Sequence, residues 1–433
     1  MLRAACLALC AAAATASASN VLSFVVADIS GRYVRRGVAL TEVDATTGAM
    51  TTLGPAVDGE FVWFGLSAAD HAHGIIYTVG RNATGSNLFG LDATSGEVVV
   101  SMALPFTMPT GQLVGVGQAV DVDPATGDVF VTGQMASEAM HHEVFRVDFA
   151  SKAMTSVAKL VADDAKTGGA ANIQGCTLDY KKMIEYIILP VQPAGGDGVE
   201  IHLFAVELKT GKVTHTPMDA NKGTMINPID YDGATGKIFG FGPPKVTVAA
   251  HNARYGAGAY TFASVQEWRD LMSGAGPAIY EPLPLGDDSP LHQSFVHTLA
   301  SLDPETLKAT VVGEFPGYFL VKVQIAGLDE KNRVHLSMMQ PTQPPVQGWV
   351  PATNCAPSCG AGTLCCKDPA QGEGACYKVG ACADIHDGSG LNTTAPFNLV
   401  QMDLDTFTLL PSPPITPGCA LQGSGCPISL NVA

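Results

Sequence analysis

One phrase recurs along this chain: an apolar strand, an acidic residue, two or three small residues, a glycine, then another strand. It reads ValAspAlaThrThrGly at Val43–Gly48, LeuAspAlaThrSerGly at Leu91–Gly96, ValAspProAlaThrGly at Val122–Gly127 and ValGluLeuLysThrGly at Val206–Gly211. Altered copies lie at Val147–Ala153, Tyr231–Gly236, Leu302–Leu307 and Met402–Phe407. A hairpin turn repeated at this density requires a fold tiled from small antiparallel sheets, since each unit is too small to bury its own apolar face alone.

The phrase has two flavours that alternate. One closes a hairpin at Asp44, Asp92, Asp148, Glu207, Asp303 and Asp403. The other, at Asp70, Asp123, Asp179, Asp232 and Asp329, precedes a strand rich in aromatic and β-branched residues, such as IleIleTyrThrVal at 75–79 and TyrIleIleLeu at 186–189. Alternation of an inner and an outer hairpin describes a four-stranded blade, and the chain is read as an all-β propeller. Successive inner acids are 53, 56, 53 and then 97 residues apart. The long step is assigned to an insertion over 243–296, where ValGlnGluTrpArgAspLeuMet (265–272) has the apolar spacing of a short helix. A second insertion, rich in cysteine, covers 350–390. The count predicts six blades, or seven if 243–296 holds a divergent one. The strand Leu22–Ala27 has no inner hairpin before it, so ProIleSerLeuAsnVal (427–432) is expected to complete the first blade and remove an exposed edge.

Met1-Leu2-Arg3, the apolar run Ala4–Ala14 and Ala16-Ser17-Ala18 have the pattern of a secretory signal over 1–18, leaving 19–433 as the propeller. That run is too short to span a bilayer, and no later one approaches ~20 apolar residues. The net charge of −16, from 24 Lys and Arg against 40 Asp and Glu, disfavours nucleic acid and anionic membranes as partners. An exported chain places Asn82-Ala-Thr and Asn392-Thr-Thr as glycosylation sites.

The hairpin phrase resembles the repeats of the quinoprotein-like and YVTN-type propeller superfamily, where a Leu-x-x-Asp-x-x-Thr-Gly turn recurs in each blade. The resemblance covers most of 38–410 and implies the fold. It does not extend to a quinone cofactor, because the regular docking tryptophans are replaced by Trp63, Trp268 and Trp349 at unrelated repeat positions. In blade count the chain is also similar to lactonase and strictosidine-synthase propellers, without a matching set of metal ligands.

Of the 11 cysteines, Cys355, Cys359, Cys365, Cys366, Cys376 and Cys382 form a C-x3-C-x5-C-C-x9-C-x5-C array, and export makes disulfides their expected state. The order resembles the inhibitor-cystine-knot pattern, which implies Cys355–Cys366, Cys359–Cys376 and Cys365–Cys382. Such a module is either a stapled loop or a recognition knob. Cys419 and Cys426 are expected to pair near the ring closure, leaving Cys176 as a buried thiol.

Five residues before an inner acid stand Gln118, Gln174, Asn227 and Gln324. Amides at one equivalent position can form a partial ring at the channel mouth that holds water, a sugar or Ca²⁺. Alternatively they satisfy neighbouring backbone. Asp121 and Asp230 fall on the other side of the same strands and are expected to make inter-blade hydrogen bonds. The sequence contains no GlyxSerxGly, HisGluxxHis or P-loop. It thus favours a secreted binding or scaffold module for a glycan, matrix protein or small ligand, with no cofactor predicted. A lactonase-like hydrolase or lyase using a cation at the channel mouth is the alternative.

Overall fold

The structure, a computed structural model, describes residues 21–27, 37–55, 67–82, 85–106, 118–135, 141–161, 166–167, 173, 175–192, 200–218, 229–246, 295–316, 318–319, 326–341, 350–351, 364–367, 374–377, 397–416 and 430–432. They form a six-bladed propeller of antiparallel sheets.

Blade 1 is Asn431–Val432, Val21–Ala27, Gly37–Val43 and Met50–Thr52 from the axis outward. Blade 2 runs Ser67–Asp70, Ile75–Asn82, Gly85–Asp92, Val98–Ala103, and blade 3 runs Gln118–Val122, Val129–Gln134, His142–Asp148, Ala153–Leu160. Blade 4 comprises Gly175–Asp179, Ile184–Gln192, Glu200–Glu207 and Lys212–Met218, with Lys166–Thr167 added beside its second strand. Blade 5 is Asp230–Asp232, Lys237–Val246, Phe295–Asp303, Lys308–Phe315. Blade 6 is Ala326–Asp329, Val334–Pro341 and Asn398–Asp403, with Tyr318–Phe319 also paired to its second strand. Its outer edge is residues 409–416, where Pro411, Pro413 and Pro414 lack the N–H groups a regular ladder needs, so only isolated bridges form.

The innermost strands touch in a closed cycle, blade 1 to 2 and on to 6 and back to 1. Closure comes from the C-terminal strand, through Val21↔Val432 and Leu22↔Asn431. Lys237–Val246 pairs directly with Phe295–Asp303, so the long insertion connects two strands of blade 5, and the ring of described strands has six blades. The short helix expected at 265–272 lies outside the described residues. In the cysteine-rich segment Val350–Pro351, Leu364–Lys367 and Gly374–Tyr377 form a separate sheet whose backbone register sets Cys365 opposite Cys376. Cys355, Cys359, Cys382, Cys419, Cys426 and Asn392 lie outside the described residues, and Asn82 ends the second strand of blade 2 opposite Gly85.

Alternation within each strand sends successive side chains to opposite neighbours, which produces six apolar layers, one per seam. The layer between blades 3 and 4 packs Phe130, Val144 and Leu160 against Ile187, Leu189 and Phe204. All eleven acidic turns lie on one face, because first-to-second and third-to-fourth connections leave the same end of a sheet. In each, the residue four after the acid has a positive φ: glycine at 48, 74, 96, 127, 211 and 236, but Lys152, Met183, Leu307, Arg333 and Phe407 elsewhere. The acid accepts the backbone N–H groups that follow, as Asp92 Oδ1 does from Thr94 at 3.0 Å and Ser95 at 2.7 Å. The twelfth position is occupied by the two chain ends pairing in blade 1.

A left-handed conformation costs an L-residue about 1–2 kcal/mol. At Gly211 a Cβ would also lie 2.4 Å from the Val157 carbonyl oxygen of blade 3. Gly211→Ala should therefore destabilise by about 1–3 kcal/mol, whereas Lys152→Gly at the equivalent turn (φ 52°) should be neutral to stabilising by up to about 1 kcal/mol. Urea midpoints of the two variants check this; equal losses in both would show that the left-handed position is not what limits these turns.

Candidate functional site

The seam between blades 3 and 4 carries a polar group set in its apolar layer. Asp121, on the inner strand of blade 3, faces blade 4 together with Ala119. Cys176 on the inner strand of blade 4, and Glu185 on its second strand, face back. The Cys176 thiol lies 2.8 Å from Asp121 Oδ2 and 3.2 Å from Glu185 Oε1, and Thr132 of blade 3 donates to Glu185 Oε1 at 2.8 Å. Glu185 is wholly buried, and among the described residues its Oε2 has no hydrogen-bond partner.

Burial is the main force on all of these groups. It raises the Glu185 carboxyl to about 7, against the opposing hydrogen bonds from Thr132 and Cys176. Burial, then the neighbouring Glu185, pushes Asp121 well above the usual carboxylate range, with Asp230 of blade 5 adding further repulsion. The Cys176 thiol is raised by burial and by both acids, so it stays protonated at neutral pH, as expected of a buried inert thiol. Asp230, equivalent in its blade to Asp121, is raised to about 7 by burial and then by Glu330. Asp121 and Asp230 both keep part of their surface accessible.

Below them the turn face is laced together. The Tyr180 hydroxyl of the blade 4 turn donates to Glu330 Oε2 of the blade 6 turn at 2.8 Å. It passes over Gly233 of blade 5, where a Cβ would sit 1.9 Å from that hydroxyl. Arg333 bonds Asp232 Oδ1 at 2.5 Å and Asp405 Oδ1 at 3.1 Å, and Lys181 reaches the Gly233 carbonyl. The inner-turn acids are thus structural: Asp70, Asp123, Asp179, Asp232 and Asp329 are all buried and hold their own turns.

Of the four amides, Gln118 is buried on the face toward blade 2, where its Nε2 donates to Ser86 Oγ at 2.8 Å and its Oε1 has no partner among the described residues. Gln174, Asn227 and Gln324 lie outside the described residues. Asp121 makes the expected inter-blade hydrogen bond. Glu185 was missed, although a lone acid in IleGluTyrIleIleLeu, a run otherwise built for burial, is a readable signal. His73 is an exposed turn residue on Asp70 Oδ2 at 2.8 Å. A cleft of about 470 Å³ between blades 1 and 2, lined by Leu22, Glu42, Asp70, His71 and Thr94, belongs to a different seam.

No described protein family and no curated protein matches this sequence. Solved propellers share its shape loosely. TolB from Acinetobacter baumannii is 10% identical with a TM-score of 0.43, over 92% of this chain and 65% of that one. The chain thus spans just under two thirds of that protein's length. A 6-phosphogluconolactonase candidate from Bacteroides uniformis is 8% identical (TM-score 0.37, 83% and 95% covered). An oligogalacturonate lyase in complex with manganese is 12% identical (TM-score 0.34, 93% and 96% covered). The fold assignment rests on the strand topology itself. Among the described residues no helix is long and apolar enough to cross a membrane.

One further buried group sets a pH dependence. His335, in the layer between blades 5 and 6, is fully enclosed against Phe241 and Phe315, and desolvation lowers it to about 3. Its unfolded value is about 6.5, so the unfolded state takes up the proton first, and stability is lost as pH falls from about 6.5 toward 3. At pH 5 this single group should cost about 2 kcal/mol relative to pH 8. His335→Phe should remove that part of the slope, read from urea unfolding at the two pH values; an unchanged slope would assign the acid sensitivity elsewhere.

Proposed function

We propose that this chain is an exported propeller acting as an extracellular binding or scaffold module, with its ligand at the central channel. One observation carries the reading: Asp121 and Asp230, at equivalent positions of blades 3 and 5, leave part of their surface accessible while the charges acting on them are other acids, Glu185 and Glu330. Such carboxyls suit a ligand rich in hydrogen-bond donors, either sugar hydroxyls or basic side chains of a matrix protein. The nearby nucleophile, Cys176, donates its S–H in hydrogen bonds to Asp121 and Glu185 and is held un-ionised, which favours holding over turnover.

A second reading, a hydrolase or lyase acting on lactones or uronate sugars, is supported by the Asp230 carboxyl near 7, where it can exchange a proton at neutral pH.

Screening the purified chain against a glycan panel and basic extracellular-matrix peptides, followed by calorimetry on the hits, separates the two. Binding without turnover, weakened at least about tenfold by Asp230→Asn (~1.4 kcal/mol), is the expected result. Binding indifferent to that change would sink the channel-acid reading, and turnover of lactones or uronate oligomers lost in Asp230→Asn would replace it with the enzyme.

A further inference from the structure

We propose that Asp121, Cys176 and Glu185 form a binding site for a borderline divalent cation of the zinc class, clamped between blades 3 and 4. One ligand atom from each residue lies within 4.8 Å of the others. That spacing lets three donors close on one ion at about 2.3 Å for sulfur and 2.0–2.2 Å for oxygen.

A missing hydrogen-bond donor argues for the ion. Apart from any proton the carboxyls themselves hold, the cluster's donors are one S–H, from Cys176, and one O–H, from Thr132. Asp121 Oδ2 and Glu185 Oε1 both lie within reach of the single thiol hydrogen. Glu185 Oε2, on a side chain with no exposed surface, receives no hydrogen bond among the described residues. An enclosed carboxylate oxygen without a donor is costly, and a cation supplies what the missing donors do not.

The donor set selects the ion. Calcium and magnesium prefer shells made wholly of oxygen, whereas a thiolate with two carboxylates suits Zn²⁺ or Co²⁺. Thr132 fixes the Glu185 carboxylate as an outer partner does in metal centres. Asp121, partly exposed, leaves a route by which the ion and a fourth ligand can enter. On binding, the Cys176 S–H bond breaks, its proton goes to solvent, and the sulfur electron pair forms the metal–sulfur bond. Any proton held by the two carboxyls leaves the same way, and no oxidation state changes.

The site differs from the amide positions 118, 174, 227 and 324 in residues and in ion class, and it stands whether the channel ligand is held or turned over. Its test does not need that ligand. The full chain, disulfides intact, is titrated with Co²⁺ while its near-ultraviolet thiolate-to-cobalt charge-transfer absorption is followed, and Zn²⁺ affinity is measured by competition. One equivalent should saturate the band. Cys176→Ser should abolish it and weaken binding by more than about 100-fold, and Thr132→Val, outside the ligand shell, should weaken binding about tenfold. If Cys176→Ser does not fold, the Thr132→Val and Glu185→Gln titrations carry the test. Absence of saturable uptake, a band that survives Cys176→Ser, or greater thermal stabilisation by Ca²⁺ than by Zn²⁺ would each overturn the proposal.

Discussion

Val21↔Val432 and Leu22↔Asn431 complete blade 1 and close the ring, with the bridge Ala49↔Thr416 joining blades 6 and 1 farther out, and the packing of the end blades depends on that closure. A blade buries both faces only when it has a neighbour on each side. In an open array the first and last blades would each expose a whole apolar face. Val21, Val43, Val334, Leu336, Leu399 and Leu430 form the layer that joins blade 6 to blade 1. Each is nearly or completely buried because the last strand returns to the first sheet. A closed ring has no free sheet face, so the apolar surface of six small sheets becomes six interior seams.

With the seams filled by Val, Leu, Ile and Phe, polar groups buried in them stand out energetically. The inner-turn acids are matched locally by the backbone N–H groups of their own turns, and Asp232 also by Arg333. The Asp121–Cys176–Glu185 set is only partly matched: Thr132 and the thiol donate to it, and Glu185 Oε2 has no partner among the described residues. Low dielectric magnifies that contrast, because the same enclosure that strengthens a good hydrogen bond also raises the cost of an unmet one. Among the described residues, this is the seam where two acids and a thiol meet.

The architecture was legible because the turn chemistry is local. An acid that accepts two following N–H groups, with a left-handed residue four positions on, fits inside six residues of sequence. The altered copies are the same turn with Lys152, Leu307 or Phe407 forced into the left-handed position, so the geometry persists where the glycine does not. The site was only half legible. Asp121 could be placed on a strand side by alternation. Its pairing with Cys176, 55 residues on, and that of Thr132 with Glu185, 53 residues on, need the packing of neighbouring blades. Both separations are close to one repeat length. Polar residues one repeat apart on facing strand sides are therefore a usable sequence signal in a fold of this kind. Of the amides, only Gln118 is described: it sits on the same strand side as Val120 and Val122, facing blade 2 and Ser86.

The closure also has a mechanical consequence. Val21 opens its strand and Val432 closes its own, and the two lie opposite each other in an antiparallel pair. Tension on the two ends of the chain therefore peels the strands apart from that end, breaking hydrogen bonds in sequence, instead of shearing them all at once. Pulling would load this two-pair ladder first, and blade 1 would begin to open there.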